Sequence, residues 1–276
     1  MAVRNILVHV DGGRPAMARL ELAIALAERD RAHLTALDIF GAEPMPGFVA
    51  AELPKVVIDQ IRQAARDKAA ATAERMRPIL AAANAPTEWR MVESLDPATV
   101  IRHARYADLA IVGQDDPDNG AGPVGIAEAV VMGSGRPVLV VPYAGRHKAV
   151  GANVLVAWDG GREAARAVND AIPLMQPGAR VTVLSLNPDR TAAGGAGYPG
   201  QDIAVHLARH GVQVEAAHYV TEDISVGDML LSRAADMGVD LVVMGAYGHS
   251  RVREMVLGGA TRHLLAHMTV PVLMSH

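Results

Sequence analysis

The chain has 276 residues, a net charge of −4, half of its residues apolar and only 3% aromatic. With neither a basic field nor base-stacking aromatics, it does not read as a nucleic-acid binder, and with no cysteine it has no disulfide framework, thiolate nucleophile or thiolate metal site. The apolar run at the start is too short for a signal peptide and none approaches the ~18 residues of a membrane span, so a soluble, cytoplasmic protein with no membrane partner is expected.

Ile6–Val10 is a short strand-like run that ends at Asp11-Gly-Gly13 and feeds Ala16–Arg29, where Leu20, Ala23, Ile24 and Ala27 recur at helical spacing. Leu34–Phe40 supplies a second strand, and Pro44, Pro46 and Gly47 make Gly41–Phe48 a loop. The Ala-rich stretch from Leu53 to Ala83 reads as one long amphipathic helix. Val57, Ile61, Ala64, Ala65, Lys68, Thr72, Met76 and Ile79 lie on its inner side, with Arg62, Arg66, Asp67 and Arg75 mostly elsewhere. Trp89–Val92 gives a third strand, Pro97–Tyr106 a helix, and Leu109–Val112 and Val138–Val141 two more strands.

At Asn153 the pattern restarts. Asn5-Ile-Leu-Val-His-Val-Asp-Gly-Gly-Arg14 is echoed by Asn153-Val-Leu-Val-Ala-Trp-Asp-Gly-Gly-Arg162, and Ala107-Asp-Leu-Ala-Ile-Val-Gly113 by Val239-Asp-Leu-Val-Val-Met-Gly245. Arg136-Pro-Val-Leu139 likewise returns as Val270-Pro-Val-Leu273. A period near 148 residues is domain duplication, since solenoid units are far shorter. We therefore expect two α/β domains, residues 1–146 and 152–276, each a doubly wound, mainly parallel five-stranded sheet with helices on both faces. The second copy lacks the long helix and carries a glycine-rich loop, Thr191–Gly200, before a shorter helix at Asp202–Arg209.

Ligands of such sheets bind beyond the carboxyl ends of the strands. In the second copy those ends are Asp159, Leu186 and Gly245, and the chain continues through Gly248 to Gly258, Gly259, Ala260 and Thr261 as the next helix begins. Glycines there let the backbone turn off the strand and bring bare N–H groups to an anion at a helix N-terminus. The corresponding stretch of the first copy, Gly113-Gln-Asp115-Asp116-Pro117-Asp118, places three carboxylates where a phosphate would sit, and Pro117 and Pro123 each remove a donor. No phosphate-bearing ligand is expected there.

Two copies of this pattern, an Asp ending the first strand, and Gly245, Gly248 and Gly258 at a Gly-2x-Gly-9x-Gly spacing before the last helix resemble a tandem universal stress protein. The resemblance covers essentially the whole chain. It implies an adenine nucleotide alpha hydrolase-like fold and ATP, with or without Mg²⁺, as ligand of the second domain. It also implies pairing of domains along their final strands, here as an internal pseudo-dimer, with room for a further homodimer. Carried over by residue, Asp159 would contact the adenosine moiety and the backbone at Leu186 the adenine edge. Met244, Gly245 and Gly248 would form the near wall of the phosphate loop, and Gly258, Gly259, Ala260 and Thr261 the far wall. The chain departs from the family at Gly259, where ATP-binding members carry Ser or Thr; Thr261, Arg251 and Arg253 are the nearby residues able to compensate.

Other chemistry is thinner. Gly248-His-Ser250-Arg-Val252 lacks the final glycine of a hydrolase elbow. The pairs His206/His210 and His263/His267 have i, i+4 spacing but no His-Glu-x-x-His motif, and read as helix-end packing. Asp11 reads as a turn residue. No general base is assembled, so the expected role is ATP as a regulatory ligand in a stress response, with at most slow hydrolysis. The alternative is a nucleotide-independent interaction or scaffold protein with a drifted site.

Overall fold

The computed structural model describes the chain except residues 1, 44, 118–123, 188–199, 221–222 and 248–258. The first half runs β1 (Asn5–Val10), α1 (Pro15–Asp30), β2 (His33–Phe40), α2 (Gly47–Glu52), α3 (Lys55–Ala81), β3 (Thr87–Glu93), α4 (Pro97–Ala104), β4 (Leu109–Gly113), α5 (Ile126–Gly133) and β5 (Val138–Val141). The second runs β6 (Asn153–Ala157), α6 (Arg162–Ala171), a 3₁₀ turn (Ile172–Leu174), β7 (Arg180–Leu186), α7 (Gln201–Ala208), β8 (Gln213–Tyr219), α8 (Val226–Asp236), β9 (Leu241–Gly245), α9 (Ala260–His267) and β10 (Val272–Ser275).

All ten strands form one sheet in the order β3-β2-β1-β4-β5-β10-β9-β6-β7-β8. Each half contributes five strands in the same parallel order, and the halves meet where β5 and β10 pair antiparallel, Leu139 opposite Leu273. These two strands are buried on both faces, which is why Val-Leu-Val-Val and Val-Leu-Met-Ser read as near-continuous apolar runs. One layer, α1, α3, α6 and α7, packs against the face bearing Ile6, Val8, Val154 and Val156. The other, α4, α5, α8 and α9, packs against Leu7, Val112, Leu155 and Met244.

The repeated Asp-Leu dipeptide has a local explanation. Asp108 accepts the backbone N–H groups of Arg4 and Asn5, and Asp240 those of Gly151 and Ala152, at 2.8–3.0 Å. Each carboxylate thus ties the start of its half's first strand to the start of the neighbouring one. Across the two halves, the Arg29 guanidinium donates to the carbonyls of Leu174 and Pro173, and Arg166 to that of Gly135.

The long-helix expectation holds as the single helix α3, with a shifted start and a shorter buried side. Leu53 is extended (ψ 135°), as the residue before a proline should be, and Pro54 is the N-cap of α3. The preceding short helix α2 takes up Gly47 and Phe48 from the expected loop. The buried stripe of α3 is Ala69, Thr72, Ala73, Met76 and Leu80, confined to its second half, whereas Ile61 and Ala64 are exposed. In the first turns of α3, Ile58, Ile61 and Arg62 line a shallow hollow with Gly41, Met45 and Leu95 and none of them is buried. The glycine-rich loop lies outside the described residues apart from Gly200, whose positive φ of 80° begins α7.

Candidate functional site

At the carboxyl ends of β6, β7 and β9 lies a crevice of about 170 Å³. Ala157, Trp158 and Asp159 enter it from β6, Leu184 and Leu186 from β7, Met244 and Gly245 from β9, and Tyr247 from just beyond. Val226 and Leu230 of α8 form one side and Ala260 and Thr261 of α9 another. Of the residues expected from sequence, Asp159, Leu186, Met244, Gly245, Ala260 and Thr261 therefore line one cavity. Gly248 and Gly258, with Ser250, Arg251 and Arg253, lie outside the described residues.

The details revise what several of these residues do. Gly245 is glycine because α6 lies directly over it: a Cβ there would come within 2.5 Å of the Ala164 nitrogen and 2.6 Å of the Glu163 carbonyl carbon. Gly259 is glycine for another reason, its left-handed backbone (φ 63°) at the N-cap of α9. That N-cap provides no side-chain hydrogen bond, whereas Asp96 and Ser225 cap α4 and α8. Gly259 thus supplies no side-chain acceptor for the first N–H groups of α9 at the cavity wall. Thr261 is buried, its Oγ1 at 3.5 Å from the Tyr247 nitrogen, so the hydroxyl is directed at the Tyr247 backbone. Asp159 is exposed and accepts the Gly161 N–H at 2.8 Å, which fixes the turn into α6.

Sequence reasoning missed most of the apolar wall. Trp158 and Tyr247 carried a signal, since each adjoins a predicted site residue or lies between two of them. Val226 and Leu230 carried none, because an apolar helix residue looks the same whether it faces a core or a cavity.

The same position in the first half is filled. Register places His9 where the second half has Ala157, and Asp38 where it has Ser185. His9 is 3% exposed, and burial followed by the Arg19 charge lowers it to about 4, so the ring is neutral. Arg19 of α1 is 2% exposed, donates to the His9 carbonyl at 2.8 Å and pairs with Asp11 at 2.7 Å. Its counterpart in the second half is the buried Ala167. The guanidinium also occupies the space beside Gly113, where a Cβ would meet it at 1.8 Å. Burial, the largest single influence, disfavours the Asp11 anion, but the Arg19 charge together with the hydrogen bonds from Arg19 and the Gly13 N–H holds the carboxyl below its usual range. Asp11 accepts the Gly13 N–H, as expected for a turn residue, and it is an ion-pair partner as well. Beyond β4, Asp115 accepts the Gly125 N–H at 2.9 Å, placing a carboxylate at the start of α5.

The histidine pairs sit at helix ends. His206 and His210 meet edge-on at 5.0 Å, and His263 and His267 stack at 4.4 Å between ring centroids. His267 Nδ1 contacts the His263 carbonyl, and His263 Nε2 lies 2.9 Å from Asp228. Among the described residues no group of three or more His, Cys, Asp or Glu side chains converges in a way that would hold a metal ion, and no helix is long and apolar enough to cross a membrane.

Residues 152–276 match the model of the Universal stress protein family, and the crevice lies wholly within that segment. A 38-residue stretch, 14% of this chain, is 47% identical to a universal stress protein of Synechocystis sp. and spans 13% of that protein. Among solved structures, a universal stress protein from Archaeoglobus fulgidus DSM 4304 superposes with a TM-score of 0.70 at 16% identity, over 98% of this chain and 95% of that one. A functionally unknown protein from Pseudomonas aeruginosa PAO1 gives 0.54 at 16% identity, over 99% and 92%. At these identities the superpositions establish the α/β fold, and the family match establishes a universal stress protein domain at 152–276.

Proposed function

We propose that the second half binds an adenine nucleotide, ATP, in the crevice between β6, β7 and β9, and that the nucleotide is a regulatory ligand in a stress response. The observation that carries this reading is the convergence of Asp159, Leu186, Met244, Gly245, Ala260 and Thr261 on one cavity that is apolar within and has a helix N-terminus at its wall. An apolar slot suits a base, the one carboxylate among the described lining residues suits ribose hydroxyls, and the start of α9 suits phosphate. About 170 Å³ is below the ~300–1,000 Å³ of typical small-ligand sites, so in this reading the phosphates extend past the described rim. Gly259 offers backbone N–H in place of the family's hydroxyl, and the charge-assisted hydrogen bond so lost contributes roughly 1.5–3 kcal/mol. Mg²⁺ travels with the phosphates in this reading and requires no protein ligand. The first half, with His9, Arg19 and Asp115 in the equivalent places, takes no nucleotide.

Equilibrium binding of labelled ATP to the full chain tests this. Binding at one site per chain, weakened at least tenfold by Gly248→Val or Asp159→Ala, is the expected result. No binding at millimolar ATP overturns the reading in favour of a nucleotide-independent interaction protein, and two sites per chain overturns the assignment of the first half.

A further inference from the structure

The antiparallel pair β5–β10 sets Leu139 opposite its own counterpart Leu273, so a local twofold runs between them. Gly125 and Gly259, both left-handed, begin α5 and α9 at equivalent places, which makes Glu128 and Arg262 equivalent third residues of the two helices. A symmetric pair of halves would set like against like here. This chain sets an acid against a base, Arg262 Nε 3.4 Å from Glu128 Oε1.

The same Glu128 oxygen accepts a second hydrogen bond, from the Tyr247 hydroxyl at 2.7 Å. Tyr247 is a wall of the second-half crevice, 119 residues away in sequence from the acid that holds it. Its backbone is left-handed (φ 54°), a conformation strained for a residue with a Cβ. Such a conformation persists only where the surroundings over-determine it. The surroundings here are the Thr261 hydroxyl at its nitrogen and, at its phenol, Glu128 with Arg262 beside it. The contact is one-sided, because the first-half counterpart of Tyr247 is Asp115, which turns inward to the Gly125 N–H instead of reaching for Arg262. Burial and the adjacent Glu128 raise the Tyr247 phenol well above its usual range, so it remains a donor.

We propose that Glu128 of the first half is a positioning residue of the second half's crevice: it fixes Tyr247 from across the internal interface, so that the crevice is complete only while the two halves are paired. This rests on the nucleotide reading above for its ligand, and on geometry alone for the link itself. The consequence is regulatory. Occupancy of the crevice favours the paired arrangement of α5 and α9, and any partner that separates them lowers affinity.

The test uses the full chain in two readouts. In a Trp89→Phe background, where Trp158 is the remaining tryptophan, acrylamide quenching reports crevice closure without ligand. Glu128→Ala and Tyr247→Phe are each expected to raise Trp158 quenching, and the double variant to raise it no further. Glu128→Gln, which keeps an acceptor, is expected to stay near the parent. With ATP, Glu128→Ala and Tyr247→Phe weaken binding by about 3–10-fold, the loss of one hydrogen bond, non-additively, and Glu128→Gln changes it by less than about twofold. Equal quenching in parent and Glu128→Ala overturns the proposal, as does an undiminished effect of Glu128→Ala in the Tyr247→Phe background. Affinity that rises equally in Glu128→Ala and Glu128→Gln reports the freed Arg262 charge and also overturns it. A parent that binds no ATP defeats the nucleotide reading alone, since the quenching series still decides the link.

Discussion

The strand ends of the two halves are built from the same alternation and closed in opposite ways. Beyond β6 the small residues Ala157, Ala164 and Ala167 leave room, and the space becomes a cavity. Beyond β1 the equivalent volume holds a buried polar cluster of His9, Arg19, Asp11 and Asp38, roofed by α3 through Thr72 and Lys68 near Gly12. His9 Nε2 and Asp38 Oδ2 have no partner in that cluster. The difference teaches that two halves with one strand order can share buried strand cores, while a few side chains at the strand ends decide whether a crevice exists. It also shows that the filled half is the one carrying electrostatic stress.

The largest expected effect removes the filler. Arg19→Ala leaves Asp11 without its charge partner and opens a void against Gly113, so chemical denaturation should show a loss of about 3–5 kcal/mol, as for breaking other buried pairs. The converse change moves the filler across. Ala157→His should abolish measurable ATP binding, at least tenfold, while the circular dichroism of the fold is retained. If Ala157→His binds like the parent, the cavity beside β6 is not where the nucleotide sits.

A third prediction separates the two halves by pH. Burial, then the Asp11 charge, raises the Asp38 carboxyl from 3.8 to about 7, so the folded state holds a proton that the unfolded chain releases. Stability from this group is full below about 3.8 and is lost as pH rises toward 7. His9 works the other way: its folded value is depressed from 6.5 to about 4, so its contribution is full above 6.5 and is lost as pH falls toward 4. Between about 4 and 6.5 the two slopes oppose each other. Asp38→Asn should therefore expose a rise of stability with pH and His9→Gln a fall, each up to roughly 1.4 kcal/mol per pH unit. Both variants tracking the parent would remove the electrostatic part of the contrast. The smallest effect concerns the phosphate wall: Gly259→Ala is strained by its φ of 63° but meets only ordinary contacts, so a destabilisation of about 1 kcal/mol is expected.

Much of the fold was legible because its signals are local. Strand runs, the Asp-Gly-Gly turns and the repeated Asp-Leu pairs recur within a few residues of one another, and the shared order of two copies implies shared topology. Pro54 was legible too and was passed over, though proline chemistry alone divides α2 from α3. The site was half legible. Asp159 and the glycine-to-Thr261 stretch stood out by spacing, whereas Leu184, Val226 and Leu230 gave no sign of facing a cavity. Gly245 was noticed for the right position and the wrong reason, since the backbone of α6, and not a turn, requires it.

By itself the sequence determined the two-fold repetition, the alternation of strands and helices, and the location of strand ends, because period, turn chemistry and helix starts depend on neighbours in the chain. The pairing of the final strands, β5 with β10, was expected from the sequence as well. Only the tertiary structure decided that Arg19 and His9 fill one crevice while alanines leave the other open, and that Glu128 reaches Tyr247. Those outcomes depend on which side chains meet once distant strands have paired, and residues 119 apart in sequence carry no local mark of their contact.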